Sequence, residues 1–209
     1  PLQAESRITI FGNGAVNSIG TVESTAFDSI PAISLTTAMK NALGVDNVNT
    51  ALVENVYSQL SSTDNTTVVE APIDAVKAYS DTWQNDYNQA AVVMLSRKGG
   101  EDKDSVFVTE EGRHYLGLSQ NEEDLMSYLR DQKNAGVFEK IIVLVNSDQM
   151  MELDWLEEYQ VDACVLAGLP GAVGFTGLAN VLTGKVSPSG HLVDTFAANS
   201  LGGPAIAYS

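Results

Sequence analysis

Three short runs of this chain are apolar at nearly every position: residues 90–95 (Ala-Ala-Val-Val-Met-Leu), 141–145 (Ile-Ile-Val-Leu-Val) and 162–167 (Asp-Ala-Cys-Val-Leu-Ala). A strand with one face in water alternates apolar and polar residues. A strand apolar throughout is buried on both faces, which happens almost only in parallel sheets covered by helices on each side. Longer stretches with helical spacing separate the runs, so the order is strand, loop, helix, strand.

The rest of the chain fits that frame. Residues 7–11 (Arg-Ile-Thr-Ile-Phe) read as a first strand running into the turn Gly12-Asn13-Gly14. Leu35, Met39 and Leu43 share one helical face over residues 33–43, and Gly44 is a fitting stop. Further helices are expected over residues 51–60, 71–87 and 150–159, and from the turn Gly168-Leu169-Pro170-Gly171 through about 182. Ser119 followed three residues later by Glu122 has capping-box spacing and opens a helix to about residue 135. Residues 191–196 read as a last strand. The expected fold is α/β, a mostly parallel sheet of five to six strands with helices on both faces.

Size and charge narrow the function classes. At 209 residues one domain is the natural division, and its core needs no disulfide or metal staple. The single cysteine, Cys164, lies in an apolar run and reads as a small buried hydrophobe. The formal net charge is -16, from 27 acidic and 11 basic residues. That field repels phosphate backbones and anionic lipid, so neither nucleic acid nor a membrane surface is an expected partner. No apolar stretch reaches the ~18 residues of a membrane span. Both ends look cut, as in a piece of a longer protein.

In parallel α/β sheets ligands bind beyond the carboxyl ends of the strands. There the segment after residue 95 stands out: Ser96-Arg97-Lys98-Gly99-Gly100-Glu101-Asp102-Lys103-Asp104. From Ser96 more than 20 residues pass before the next helix, and loops of that length usually carry function. It sets a carboxylate behind a glycine pair, among cations that can tune its proton affinity. Taken alone, such a string reads better as a solvated loop of mixed charge.

The string Ser-Arg-x-x-Gly-Glu-x-x-Asp after an apolar strand resembles a loop of family 3 glycoside hydrolases, which commonly carry Gly-Glu-Gly-x-Asp there. Other segments resemble that family in the same order: residues 2–14, Tyr115-Leu116-x-Leu118-Ser119, and residues 142–147 followed by 151–156. So do Val161-Asp162-Ala163 with Ala167-Gly168-x-Pro170-Gly171, and Gly184-Lys185-Val186-x-Pro188-Ser189-Gly190-x-Leu192 closing on Asp194-Thr195-Phe196. The resemblance spans nearly the whole chain. It implies that residues 1–209 are one α/β-sandwich domain of a larger enzyme whose (β/α)8 barrel is absent from this sequence.

The resemblance also implies a function. The domain would serve a retaining β-glycosidase acting on β-glucosides or related oligosaccharides, with no cofactor and no metal. Glu101 would be the general acid/base; Arg97 and Asp104 would shape the loop or contact sugar. The partners would be the barrel and a glycoside substrate, and the parent would be extracellular or in the cell envelope. The nucleophile would come from the barrel, since Ser80-Asp81-Thr82-Trp83 only echoes its motif in a helical, polar setting. Two departures stand out: Asp102 replaces the usual Gly, and Ser105 sits where Arg often follows the Asp.

Three other readings are weaker. Gly12-Asn13-Gly14 follows a strand, but Asn17 stands where a dinucleotide fingerprint needs Gly. No Gly-x-Ser-x-Gly elbow accompanies the two histidines, His114 and His191. A non-catalytic carbohydrate-binding or scaffold domain of the same family would use Trp83 and Trp155 as sugar platforms, although both sit in helical patterns.

Overall fold

The computed structural model describes residues 1–20, 31–100, 104–192 and 195–199. Its centre is a five-stranded sheet, β1 (Ile8–Phe11), β2 (Val48–Asn49), β3 (Ala90–Arg97), β4 (Ile141–Ser147) and β5 (Ala163–Leu166). The strands lie in the order β2-β1-β3-β4-β5 and every pairing is parallel. The helices are α1 (Leu35–Leu43), α2 (Ala51–Asn55), α3 (Ile73–Lys77), α4 (Gln120–Asn134), α5 (Trp155–Glu158) and α6 (Phe175–Leu182).

The two-residue period of the strands divides the core in two. Ala91, Val93 and Leu95 of β3 and Ile141, Val143 and Val145 of β4 pack with residues of α2 to α5. Val92 and Met94, with Ile142 and Leu144, pack with α1 and α6 on the other face. β3 is central and buried along its whole length. At the sheet's edge, β5 leaves Ala163 and Leu166 exposed, contrary to the expectation of a strand buried on both faces.

Three expected helices are shorter than their patterns. Helix α3 ends at Lys77 and gives way to a 3-10 turn, Ser80–Thr82. Thr82 Oγ1 donates to Tyr79 O and accepts from Asn49 Nδ2, so local side-chain bonds displace helical ones. Helix α2 stops at Asn55 and continues as a 3-10 turn, Tyr57–Gln59. Before α5 the backbone runs alongside another segment, with Glu152 N donating to Leu116 O. Residues 191, 192, 195 and 196 lie in no strand, and 193 and 194 fall outside the described residues.

Candidate active site

The strand order reverses between β1 and β3, where the chain steps outward to β2 and then returns across β1. In open parallel sheets the crevice at such a reversal is where ligands bind. Two segments leave the sheet there: the turn after β1 and the long loop after β3.

The turn after β1 is filled by the protein itself. Gly12 has φ 91, and a Cβ on it would lie 2.3 Å from Met94 O, so only glycine fits against β3. The Asn13 N–H donates to Glu70 Oε2 at 2.9 Å, and Glu70 Oε1 accepts from Ala71 N at 2.8 Å. A side-chain carboxyl thus occupies a backbone donor that a nucleotide phosphate would need. Burial pushes the Glu70 carboxyl up to about 8, against the two N–H groups that favour its ionised form.

Arg97 ends β3 and is fully buried. Its guanidinium makes a bidentate pair with Glu122, Nη1 to Oε1 at 2.8 Å and Nη2 to Oε2 at 2.6 Å. The remaining N–H groups donate to the carbonyls of Ser96, Tyr115 and Gly117. All five guanidinium donors are therefore used inside the protein. In this geometry the guanidinium is held entirely by groups of the protein. Glu122 also closes the capping box of α4, accepting from Ser119 N while Ser119 Oγ accepts from Glu122 N.

Glu101, the expected acid/base, and Asp102 lie outside the described residues. Their neighbours do not. Lys98 N donates to the buried Tyr115 hydroxyl at 2.8 Å, and Gly99 N donates to Asp148 Oδ1 at 3.2 Å. Asp104 is exposed, and its carbonyl accepts from Asn65 Nδ2. Ser105 Oγ accepts from Gln149 Nε2 at 2.8 Å and stands 3.1 Å from Lys98 O. Ser105 thus ties the described far side of the segment back to Lys98.

One more residue of this edge escaped sequence reasoning. Asn146 at the end of β4 is fully buried. Its Oδ1 accepts from Ile19 N and Ser96 Oγ, and its Nδ2 donates to the carbonyls of Ile19 and Gly168. It clips the segments that follow β1 and β5 to the end of β3. The only signal for it was a polar residue closing an apolar run.

Several large apolar side chains are exposed along this edge: Phe107 and Val108 after β3, Met150 after β4, Leu166 and Val173 at and beyond the end of β5. A groove of about 760 Å³ lies among Met150, Cys164, Leu166 and Leu178. Burial raises the Cys164 thiol to about 11, so it is not a nucleophile at neutral pH. Trp83 and Trp155 are both buried, Trp83 edge-on to Phe11, so neither is a surface platform for sugar. Among the described residues no His, Cys, Asp and Glu cluster could hold a metal ion, and no helix is long and apolar enough to cross a membrane.

These features define a parallel α/β domain whose candidate site lies at the carboxyl edge, where the loop after the central strand opens. Residues 1–205 match the Glycosyl hydrolase family 3 C-terminal domain, and the chain belongs to that family. It is 31% identical over 110 residues to a beta-glucosidase of Ruminococcus albus, covering 53% of this chain and 11% of that protein. It is 34% identical over 143 residues to the probable beta-glucosidase L of Aspergillus terreus, covering 66% of this chain and 18% of that protein. Among solved structures, a b-glucosidase of Erythrobacter marinus shares the fold with a TM-score of 0.59 at 17% identity, covering 89% of this chain and 25% of that one. An exo-1,3/1,4-beta-glucanase of Pseudoalteromonas gives 0.52 at 17%, covering 87% and 19%. The chain thus spans under a fifth of the length of these two beta-glucosidases matched by sequence.

Proposed function

We propose that this domain supplies the general acid/base, Glu101, to a retaining β-glycosidase acting on β-glucosides or related oligosaccharides. The observation that supports the reading is where Gly99 and Gly100, which precede Glu101 in the sequence, leave the sheet: after the central strand β3, at the reversal of strand order. A retaining mechanism needs two carboxyl groups about 5 Å apart. Glu101 protonates the departing glycosidic oxygen and then takes a proton from the water that releases the glycosyl-enzyme. The nucleophile comes from a barrel domain of the same protein, packed on the carboxyl edge where Phe107, Val108 and Met150 are exposed. Asp104 borders the site at the loop's far end, and Arg97 acts from beneath it.

The test compares the isolated chain with a protein that joins it to its barrel. The isolated chain should not turn over aryl β-glucosides. The joined protein should, and Glu101→Gln should lower its rate on poor leaving groups by roughly a hundred- to ten-thousandfold. Turnover by the isolated chain that survives Glu101→Gln would refute the reading.

A further inference from the structure

The two stretches that flank Glu101 in the sequence, residues 98–99 and 105–106, meet the body of the domain at one place. At the first foot, Lys98 N donates to the Tyr115 hydroxyl. That hydroxyl lies 2.7 Å from Asp64 O and 3.0 Å from Lys98 O, so its single proton serves one of the two carbonyls. At the second foot, Ser105 Oγ meets Lys98 O and Gln149. Val106 N then donates to Asn65 O. Both feet therefore rest on the same two turns, residues 64–67 and 148–149.

Neither turn is slack. Asp64 Oδ1 accepts from the backbone N–H groups of Thr66 and Thr67, which hold its carboxyl below the usual range. Gln149 N donates to Ser147 Oγ. A Cβ on Gly99 would stand 3.1 Å from both Asp148 carboxylate oxygens and from Gln149 Nε2, so the second turn presses on the loop's backbone. The Tyr115 ring is itself buried beside the Arg97 guanidinium, 5.8 Å away.

Resting on the assignment of Glu101 as acid/base, we propose that Tyr115 and Ser105 are positioning residues for it. Their hydroxyl groups tie the two flanks of Glu101 together at the Lys98 peptide, Tyr115 at its N–H and Ser105 at its carbonyl. Neither touches substrate. The residues can be separated from the fold: Tyr115→Phe keeps the ring against Arg97 and the Arg97–Glu122 pair, and removes only the hydroxyl. Ser105→Ala cuts the second tie in a half-buried part of the loop.

The experiment uses the full protein, barrel and sandwich together. kcat, KM and melting temperature are measured for Tyr115→Phe, Ser105→Ala and Glu101→Gln, with an alkyl β-glucoside and a dinitrophenyl β-glucoside. Misplacing a reacting group by about an ångström can cost a hundredfold. Tyr115→Phe and Ser105→Ala should each lower kcat on the alkyl glucoside about ten- to a hundredfold, with KM little changed. Formation of the glycosyl-enzyme from the dinitrophenyl glucoside, whose leaving group needs no proton, should be much less affected. A structural role alone would slow both substrates alike, and that result would overturn the proposal. So would unchanged kcat in both variants while Glu101→Gln is impaired. If Tyr115→Phe does not fold, Ser105→Ala decides between the same outcomes. If Glu101→Gln leaves the alkyl glucoside rate intact, the acid/base assignment fails first and the positioning role goes with it.

Discussion

Arg97 and Glu122 form a doubly hydrogen-bonded ion pair with both side chains buried, joining the end of the central strand to the first turn of α4. Arg97 is the last residue of β3, and residues 98–100 depart from it. Removing one partner leaves a buried charge without its counterion, which costs roughly 3–5 kcal/mol. Glu122→Gln should therefore lower the unfolding free energy by that order in urea titrations, and also weakens the α4 cap. An Arg97→Met, Glu122→Leu double variant should lose less than Glu122→Gln alone. A double variant that loses more would show that the pair contributes net stability beyond mutual neutralisation.

Glu70 makes stability depend on pH with a definite sign. Its carboxyl titrates near 8 when folded, against 4.5 for the free side chain, chiefly through burial. The folded chain therefore holds a proton that the unfolded chain releases. This contribution is fully present below about pH 4.5 and is lost as pH rises towards 8. Its size is on the order of 5 kcal/mol. Nearby Glu122 pushes the same way and Arg97 opposes it, both more weakly than burial. Denaturation midpoints should fall between pH 5 and 8.5, and Glu70→Gln should flatten most of that fall. An equally steep fall in the variant would place the titration elsewhere.

Gly12 permits the close crossing of the β1 turn over β3. Alanine there meets Met94 O and must hold a left-handed φ. Gly12→Ala should cost about 2 kcal/mol or more, read as a lowered melting temperature. Gly136, also at positive φ but with open space around its Cβ position, should lose less on the same change.

The sequence showed the sheet through its apolar runs, because burial on both faces leaves a mark at every position. It showed the N-terminus of α4 through Ser119 and Glu122, a local pairing with fixed spacing. It did not show β2, whose two residues, Val48 and Asn49, are too few to carry a pattern. Nor did it show that Glu122 serves Arg97 as well as Ser119, since that contact joins residues 25 apart. Asn146, Glu70 and Tyr115 were hidden for the same reason: each binds segments distant in sequence. The candidate acid/base was legible only through the likeness of its loop to a known family. Charge and spacing alone left it one carboxylate among several in a stretch of mixed charge.

In the proposed function Glu101 moves the proton. In the full protein, Glu101→Ala should leave the glycosyl-enzyme without a base to activate water, so this intermediate should accumulate when the leaving group is highly activated. Azide needs no base. Added azide should restore turnover of Glu101→Ala and yield a glycosyl azide, whereas Asp102→Gly and Asp104→Ala should show no rescue. Rescue of either aspartate variant with none for Glu101→Ala would contradict the account and transfer the role to that carboxylate.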